Sequence, residues 1–304
     1  MKKYRFGLIG LGVISKYFVS ALEKNPQTKL VAVSARSAQS RKFFEKKGIN
    51  GYKDYRQLLI NPLIDVVIVA TPNHTHNEII RTALLARKHV VCEKPLALNT
   101  KDAKKLIVLA KNQKLLLFTI FHRRYNKELI HLFNNTKLRK KIRSIYARYL
   151  EYIPDHSDSA KWLYDTNKSG GGCVIDNGIN VIDVIRKLVG DITLENVHLG
   201  MKGVGSVRHD ANAMLTYNFC GGKAHIELDW YYKGEVKDIV LYLSDGSVIR
   251  KNMLTNSSEF KGSLWHEYEA ALKDVLLKLK STPFEADYDS LKALAVVEEV
   301  YKYL

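Results

Sequence analysis

The sequence predicts an α/β protein: an N-terminal domain built on a parallel sheet, then a C-terminal α+β domain with a predominantly antiparallel sheet. Over residues 1–122, near-continuous apolar runs alternate with helical patterns, which is typical of parallel strands covered by helices on both faces. Beyond residue 123, several runs alternate apolar and polar residues, as strands with one face in water do. We therefore expect one domain at 1–122 and a second at 123–304.

The individual elements follow from the same patterns. In the first domain we expect strands at 4–9, 30–34, 64–70, 89–92 and 115–120, with helices between them. In the second we expect strands at 144–152, 193–199, 211–219, 223–231, 236–243 and 247–251, with a hairpin turn at Gly221-Gly222. A helix should follow the glycine-rich stretch 169–178, and two more should lie at 264–280 and 289–304. We expect the last helix to return to the first domain.

Composition narrows the class of partner. The net charge of +17 raises nucleic acid or a phosphorylated small substrate as partners, but no basic stripe with interleaved aromatic residues accompanies it. We favour a lysine-rich solvated surface and expect no nucleic acid. The three cysteines are scattered without a CxxC pair, which favours a reducing compartment and argues against a metal site. No apolar run reaches the ~18 residues of a membrane helix, so we expect a cytoplasmic protein with no membrane partner.

A glycine turn joins the first strand to the first helix. Gly10-Leu11-Gly12-Val13-Ile14 follows the apolar run that ends at Ile9. Gly10 permits the sharp turn, Gly12 lets the backbone approach a pyrophosphate, and the helix N-terminus supplies unpaired N–H groups. Ser15 replaces the usual third glycine, and this small residue still permits close packing. The turn predicts a dinucleotide site on a Rossmann domain.

The end of the second strand indicates which dinucleotide binds. An NAD site usually has Asp or Glu here, to bond the ribose hydroxyls. This chain has Ser34-Ala35-Arg36-Ser37, without a carboxylate. Because hydroxyls and a guanidinium suit a 2′-phosphate, we favour NADP over NAD. The alternative is that Arg36 is a solvated loop residue.

Two further segments carry side chains suited to acid–base chemistry. Glu93-Lys94-Pro95 follows the fourth strand, where Lys94 can donate to a substrate hydroxyl. A helix that starts near Asp176 would place Asp176, Asn180 and Asp183 on one face. Asp176 is then a candidate acid/base, and Asn180 a hydrogen-bonding group that orients the substrate. The alternatives are that Lys94 is only a surface lysine in a loop and that Asp176 only caps the helix.

These motifs, in this order and spacing, resemble the glucose–fructose oxidoreductase / inositol dehydrogenase / MocA (Gfo/Idh/MocA) family. The matching segments are Gly10-Leu11-Gly12, Thr71 through His76, Glu93-Lys94-Pro95, Arg123 through Asn126 and Gly170 through Asp183. The resemblance covers nearly the whole chain. It implies a homo-oligomer, dimeric or tetrameric, that transfers hydride between NAD(P) and a hydroxyl or carbonyl carbon of a sugar or polyol, as an aldose 1-dehydrogenase does.

The resemblance also assigns site residues. The catalytic lysine of the family falls on Lys94, its aspartate on Asp176 and its usual histidine on Asn180. Substrate contacts are expected from Lys94, Arg123, His156, Trp162, Asp176 and Asn180. Cofactor contacts are expected from Gly10, Leu11, Gly12, Val13, Ile14, Ser34, Ala35, Arg36, Thr71, Pro72, Asn73, His76, Glu93 and Lys94. No metal is expected.

The asparagine at position 180 leaves the proton path open. Asparagine cannot exchange a proton near neutral pH, so it cannot replace histidine as a base. Asp176 itself is one candidate base, since family members similar to aldose 1-dehydrogenases carry asparagine here. A second explanation brings His122 or His156 into the site, and a third makes the protein a weakly active or non-catalytic dinucleotide-binding sensor. A further enzyme alternative reduces a keto-sugar or acts on a phosphorylated or nucleotide-linked sugar.

Overall fold

The chain divides into two compact units. The computed structural model describes residues 3–156, 161–204, 207–257, 261–281 and 283–304. The first unit comprises residues 1–120 and 268–291, and the second comprises 121–267 and 292–304. The first division therefore falls two residues before the one expected at 122/123. Residues 268–291, which lie mostly before the last helix, complete the first unit.

A parallel sheet forms the centre of the first unit. Its strands are β1 (Tyr4–Ile9), β2 (Thr28–Ser34), β3 (Asn50–Tyr52), β4 (Val66–Val69), β5 (His89–Glu93) and β6 (Leu117–Ile120). They pair in the order β3-β2-β1-β4-β5-β6, and every pair is parallel. The strand order reverses between β1 and β4. Ligands of such sheets bind in the crevice at this reversal, outside the carboxyl ends of the strands.

The sheet of the second unit is predominantly antiparallel, as expected. Its strands are β7 (Ile142–Tyr152), β8 (Thr193–Val204), β9 (Val207–Phe219), β10 (Gly222–Asp229), β11 (Tyr231–Leu243) and β12 (Val248–Asn252). In the order β12-β11-β7-β10-β9-β8, only the β7–β10 pair is parallel. The predicted hairpin between β9 and β10 exists, but Phe219 pairs with Gly222, so its turn is Cys220-Gly221. Gly221 supplies the positive φ, +93°, that this turn requires.

Helices flank both sheets. They are α1 (Ser15–Lys24), α2 (Ala38–Glu45), α3 (Tyr55–Leu59), α4 (His76–Leu85), α5 (Thr100–Gln113), α6 (Lys127–Asn134), α7 (Thr136–Lys141), α8 (Thr166–Ser169), α9 (Ile179–Val189), α10 (Leu264–Lys278) and α11 (Tyr288–Tyr301). α9 buries eight of its 11 residues, including all from Ile179 to Ile185, so it lies within the core of the second unit. Most of α10 belongs to the first unit, and most of α11 to the second.

The segment 268–291 belongs to the first unit because it packs on that unit's sheet. Tyr4, on β1, donates a hydrogen bond from its hydroxyl to the carbonyl of Leu279 at 3.2 Å. The backbone N–H of Thr119, on β6, donates to Oδ2 of Asp287 at 2.9 Å. Contacts of this kind connect residues far apart in sequence, so no local sequence pattern predicts them.

Candidate functional site

The glycine turn after β1 is shaped by its close approach to the end of β4. Gly10 has a φ of +96°, and a Cβ on it would lie 2.2 Å from the carbonyl oxygen of Ala70. Only glycine fits there. Gly12 differs, because a Cβ at that position would meet nothing within 4 Å. The turn is therefore packed at its base and open above Gly12, which fits the close approach of a pyrophosphate.

The N-terminus of α1 adjoins this turn. Ile14 occupies the N-cap position, no described side chain caps the helix, and its first turn holds no acidic residue. Ser15 is buried, and its hydroxyl donates to the carbonyl of Gly12 at 2.6 Å. Leu11 and Ile14 are half-buried, and Val13 is exposed. Uncapped N–H groups without nearby negative charge fit a bound phosphate.

The loop after β2 presents a guanidinium to solvent. Arg36 is exposed and Ala35 is half-buried, while Ser34 is buried and its carbonyl accepts from the N–H of Gly10 at 2.9 Å. The hydroxyl of Ser37 caps α2, so it is engaged by the fold. Arg36 therefore remains the polar side chain of this loop that is most available to a ligand.

A second guanidinium lies at the same loop. Arg41, on α2, donates from Nη1 to the carbonyl of Ala35 at 2.6 Å and to that of Arg36 at 2.8 Å. These bonds fix the backbone that carries Arg36. Residues 34–41 contain two arginines and no carboxylate. Arg41 is not among the residues predicted from the sequence, although its position one helical turn after Ser37 could have indicated it.

His76 joins the loops that follow β4 and β5. Its Nδ1 lies 2.8 Å from the carbonyl oxygen of Pro95, its Nε2 lies 2.8 Å from that of Thr71, and its ring is fully buried. Burial lowers the pKa of His76, and the contacts with the two carbonyl oxygens oppose this shift. Both ring nitrogens thus face backbone carbonyls, and the residue connects the two loops. The cofactor contact expected of His76 stays a prediction.

The loop after β4 itself is half-open. Thr71 and Pro72 are half-buried, and Asn73 is buried. The hydroxyl of Thr75 lies 2.7 Å from the hydroxyl of Thr71 and 2.7 Å from the carbonyl of Pro72. Thr71 and Pro72 thus have surface to offer a ligand, as do the exposed His74 and the half-buried Thr75.

The Glu93-Lys94-Pro95 loop combines a buried carboxylate with a half-buried lysine. Tyr268 donates from its hydroxyl to Oε1 of Glu93 at 2.5 Å, and Glu93 is only 8% exposed. Lys94 is half-buried, and the Lys94–Pro95 peptide bond is cis. The carboxylate of Glu93 is therefore hydrogen-bonded within the first unit, whereas Lys94 is partly exposed at the carboxyl end of β5. Tyr268 lies 175 residues after Glu93, so no local sequence pattern links the two.

Asp176 lies on a π-helical turn, Val174–Gly178, that leads directly into α9. The helical segment begins before the position expected, so Asp176 is not its N-cap. Asp176 is the only residue from 171 to 185 that is not buried. π-Helical turns are rare and often occur at functional sites. The turn thus brings one carboxylate out of an otherwise buried helix.

Asn180 and Asp183 lie behind Asp176 with different partners. Asn180 is 2% exposed, and its Nδ2 donates to the backbone carbonyl of Asp176 at 3.2 Å. Its Oδ1 has no hydrogen-bond partner within the described ranges. Asp183 is buried and accepts two hydrogen bonds from Arg124, at 2.7 and 2.5 Å. Arg124 therefore engages the carboxylate of Asp183, which gives this residue a structural role.

Arg123, a predicted substrate contact, is buried among side chains of the second unit. It is 1% exposed, and its guanidinium donates to Glu267 at 2.8 Å and to the hydroxyl of Tyr149 at 3.0 Å. Nδ1 of His122 lies 2.6 Å from the other oxygen of Glu267. Burial alone would raise the pKa of Glu267, but Arg123 and His122 lower it to about 2. His122 is therefore held in this cluster, which leaves it unsuited as the replacement base.

Two remaining predictions concern the segment before the glycine loop. Trp162 lies half-buried in a short 3₁₀ helix, Lys161–Tyr164. The predicted contact of His156 falls on a side chain outside the described part of the structure. Within that described part, no group of three or more His, Cys, Asp and Glu residues could hold a metal ion. No described helix has the length and apolar character needed to cross a membrane.

Comparison with known families shows which family this chain belongs to. Residues 4–121 match the oxidoreductase family with an NAD-binding Rossmann fold, and residues 141–249 match the GFO/IDH/MocA C-terminal domain. The chain belongs to the Gfo/Idh/MocA family. The resemblance inferred from the sequence motifs is thus confirmed.

Named Gfo/Idh/MocA relatives differ in how much of the chain they match. Over 191 residues the chain is 32% identical to myo-inositol 2-dehydrogenase of Thermotoga maritima, covering 62% of this chain and 55% of that protein. Over 267 residues it is 27% identical to 1,5-anhydro-D-fructose reductase of Ensifer adhaerens, covering 83% and 77%. The match thus spans little more than half the length of the inositol dehydrogenase.

A solved structure shows the same Gfo/Idh/MocA fold. The WlbA dehydrogenase from Bordetella pertussis, in complex with NADH and UDP-GlcNAcA, aligns with a TM-score of 0.86. The alignment covers 99% of this chain and 95% of that one at 18% identity. At this identity the likeness establishes the fold.

Proposed function

We propose that this protein is an NADP-dependent oxidoreductase that transfers hydride between the nicotinamide and a hydroxyl or carbonyl carbon of a sugar or polyol. The observation that carries the proposal is Asp176, the one residue between 171 and 185 that is not buried. A protein that only stored or sensed a dinucleotide would gain nothing from a carboxylate presented by a π-helical turn. Lys94 adds a proton donor at the carboxyl end of β5.

The residues of the first unit fit the cofactor. The open side of Gly12 and the uncapped N-terminus of α1 would hold the pyrophosphate. Arg36, supported by Arg41, would hold the 2′-phosphate that distinguishes NADP from NAD. Thr71 and Pro72 would line the nicotinamide. When bound, the nicotinamide supplies the hydride acceptor or donor that no side chain can provide.

Side chains of the protein provide the path for the proton of the substrate hydroxyl. Lys94 donates a hydrogen bond to the reacting hydroxyl, which favours its ionisation. Asp176 accepts the hydroxyl proton during oxidation and returns it during reduction. Asn180 cannot carry a proton, so its role is to hold the backbone of Asp176 through the bond at 3.2 Å. This assignment makes Asp176 the acid/base, rather than a histidine.

The names of relatives support the substrate class. An inositol dehydrogenase and an anhydrofructose reductase both point to a polyhydroxylated ring. A polyol or an unphosphorylated sugar is therefore the first class of substrate to test, with keto-sugars and nucleotide-linked sugars next.

A screen of sugars and polyols tests the proposal. Purified protein is incubated with NADP or NAD and each compound, and the absorbance of the reduced nicotinamide is followed. NADPH binding is measured in parallel by its fluorescence. We expect turnover with at least one sugar or polyol, faster with NADP. Tight NADPH binding without turnover of any compound would contradict the enzyme and favour the sensor.

We also propose that the protein is a cytoplasmic homo-oligomer. The sheet of the second unit carries exposed apolar side chains, including Met214 at 57% and Tyr242 at 42% exposure. Burial of such side chains favours association. Light scattering coupled to size exclusion measures the mass directly, and a monomer at micromolar concentration would contradict the oligomer.

A further inference from the structure

A buried carboxylate of the second unit lies at the start of the segment that carries Asp176. Asp210, on β9, is 1% exposed. Its Oδ1 accepts a hydrogen bond from the backbone N–H of Gly172 at 2.6 Å, and its Oδ2 accepts one from Val174 at 2.7 Å. A carboxylate that accepts from the first N–H groups of a helical segment fixes where that segment begins.

A tyrosine completes this anchor. The hydroxyl of Tyr301, on α11, lies 3.2 Å from Oδ1 of Asp210 and accepts from the backbone N–H of Ile175 at 3.1 Å. The hydroxyl approaches the backbone so closely that a Cβ on Gly171 would lie 2.0 Å from it. Gly171 also has a φ of +152°. The glycine, the tyrosine and the aspartate therefore form one interlocking unit.

The anchor connects directly to Asp176. The backbone N–H of Asp176 donates to the carbonyl of Gly172 at 3.1 Å, and Gly172 is the residue held by Asp210. The carbonyl of Asp176 in turn accepts from Asn180. Asp176 is thus fixed on one side by Asp210 through Gly172, and on the other by Asn180.

The hydrogen-bond donors around Asp210 offset part of the effect of its burial. Burial raises the pKa of Asp210, and the hydrogen bonds from Val174 and Gly172 oppose this rise. A carboxylate placed here without the two N–H groups would be costly to bury. The arrangement therefore persists only with the glycine loop in its observed conformation.

We propose that Asp210 and Tyr301 are positioning residues that set the direction of the Asp176 carboxylate. The inference rests on the proposed function, because it assumes that Asp176 handles the substrate proton. Neither residue is proposed to contact the substrate. Both act through the backbone of residues 172–175, and small errors in the placement of a reacting group reduce rates strongly.

The test uses Tyr301→Phe and Asp210→Asn in the full-length protein. Tyr301→Phe deletes one hydroxyl and leaves the ring, and Asp210→Asn retains one acceptor oxygen. We expect kcat to fall about ten- to hundredfold in each, with a smaller change in KM and an unchanged Kd for NADPH. Amide hydrogen exchange of residues 171–176 should accelerate. Tyr303→Phe, at a ring that is 67% exposed, is the matched control. It should change neither kcat nor the amide exchange rate.

The two measurements separate the possible failures. Faster exchange with an unchanged kcat would overturn the positioning role and leave the anchor merely structural. Unchanged exchange in both variants would overturn the anchor itself. If the unmodified protein turns over no sugar, the proposed function fails, and hydrogen exchange alone still decides whether Asp210 and Tyr301 hold the segment.

Discussion

The hydroxyl of Tyr268 donates a 2.5 Å hydrogen bond to Oε1 of Glu93, and both side chains are buried within the first unit. The ring of Tyr268 stacks on Tyr17 with its centroid 5.6 Å away and meets Phe18 edge-on at 4.8 Å. A residue from α10 therefore fixes the carboxylate that directly precedes Lys94. The conformation of the lysine loop depends on this contact as well as on its own sequence.

Loss of this hydroxyl should destabilise the protein. We expect Tyr268→Phe to lower the free energy of unfolding by about 1.5–3 kcal/mol, because a hydrogen bond to a buried charged group is lost. Urea denaturation followed by circular dichroism measures the change. Tyr288→Phe, at a tyrosine that is 50% exposed, is the control and should be neutral. Equal stability of both variants would show that the Glu93 bond contributes nothing.

The two glycines of the β1–α1 turn should respond differently to alanine. Gly10→Ala should cost about 1–3 kcal/mol of stability, because a Cβ would collide with Ala70 and the φ of +96° is unfavourable. Gly12→Ala should leave stability within about 0.5 kcal/mol, since nothing lies within 4 Å of the added atom. It should nevertheless weaken NADPH binding. Thermal melts measure the change in stability, and fluorescence titrations measure the change in NADPH binding. Unimpaired NADPH binding by Gly12→Ala would contradict a pyrophosphate site at this turn.

Cofactor preference should depend on Arg36. We expect Arg36→Ala to weaken NADP binding about ten- to hundredfold while NAD binding changes little, because a charge-assisted hydrogen bond is worth about 1.5–3 kcal/mol. Arg41→Ala should have a weaker effect of the same sign, since Arg41 supports the loop through backbone carbonyls. Titrations of both dinucleotides measure this. Equal losses for NAD and NADP in Arg36→Ala would refute the 2′-phosphate contact.

Stability should fall in acid through Glu267. Its pKa in the folded protein is about 2, below the ordinary value of 4.5, so the ionised group stabilises the fold above pH 4.5. That contribution is lost as the pH falls from 4.5 toward 2. Glu267→Gln should cost about 3–5 kcal/mol at neutral pH, because Arg123 would keep a buried unpaired charge. Its unfolding free energy should also depend less steeply on acid pH; an unchanged slope would contradict the assignment.

Local sequence patterns predicted much of the fold, and they place the candidate cofactor residues at the ends of strands. The glycine turn, the arginine after β2 and the lysine after β5 are each set by a few neighbouring residues at the end of one strand. Strand β3, Asn50–Tyr52, was missed because three residues with a glycine carry too little apolar pattern. The turn at Cys220-Gly221 was displaced by one residue, because the pairing register decides it.

The surroundings of the candidate substrate residues were less predictable, because contacts distant in sequence determine them. Arg123 stands in a motif that predicts a substrate contact, but its buried partner Glu267 lies far along the chain. The start of the Asp176 segment depends on Asp210 and Tyr301, which no spacing rule links to the glycine loop.

The most direct test of the central claim compares the unmodified protein with Asp176→Asn and Lys94→Ala on a sugar identified by the screen. The measurement is kcat with saturating NADP, together with the Kd for NADPH. We expect both variants to lose at least about a hundredfold in kcat while binding NADPH normally, because general acid–base catalysis contributes about 10²–10⁴. Full turnover by Asp176→Asn would contradict the proton path, and full turnover by both variants would contradict the proposed active site.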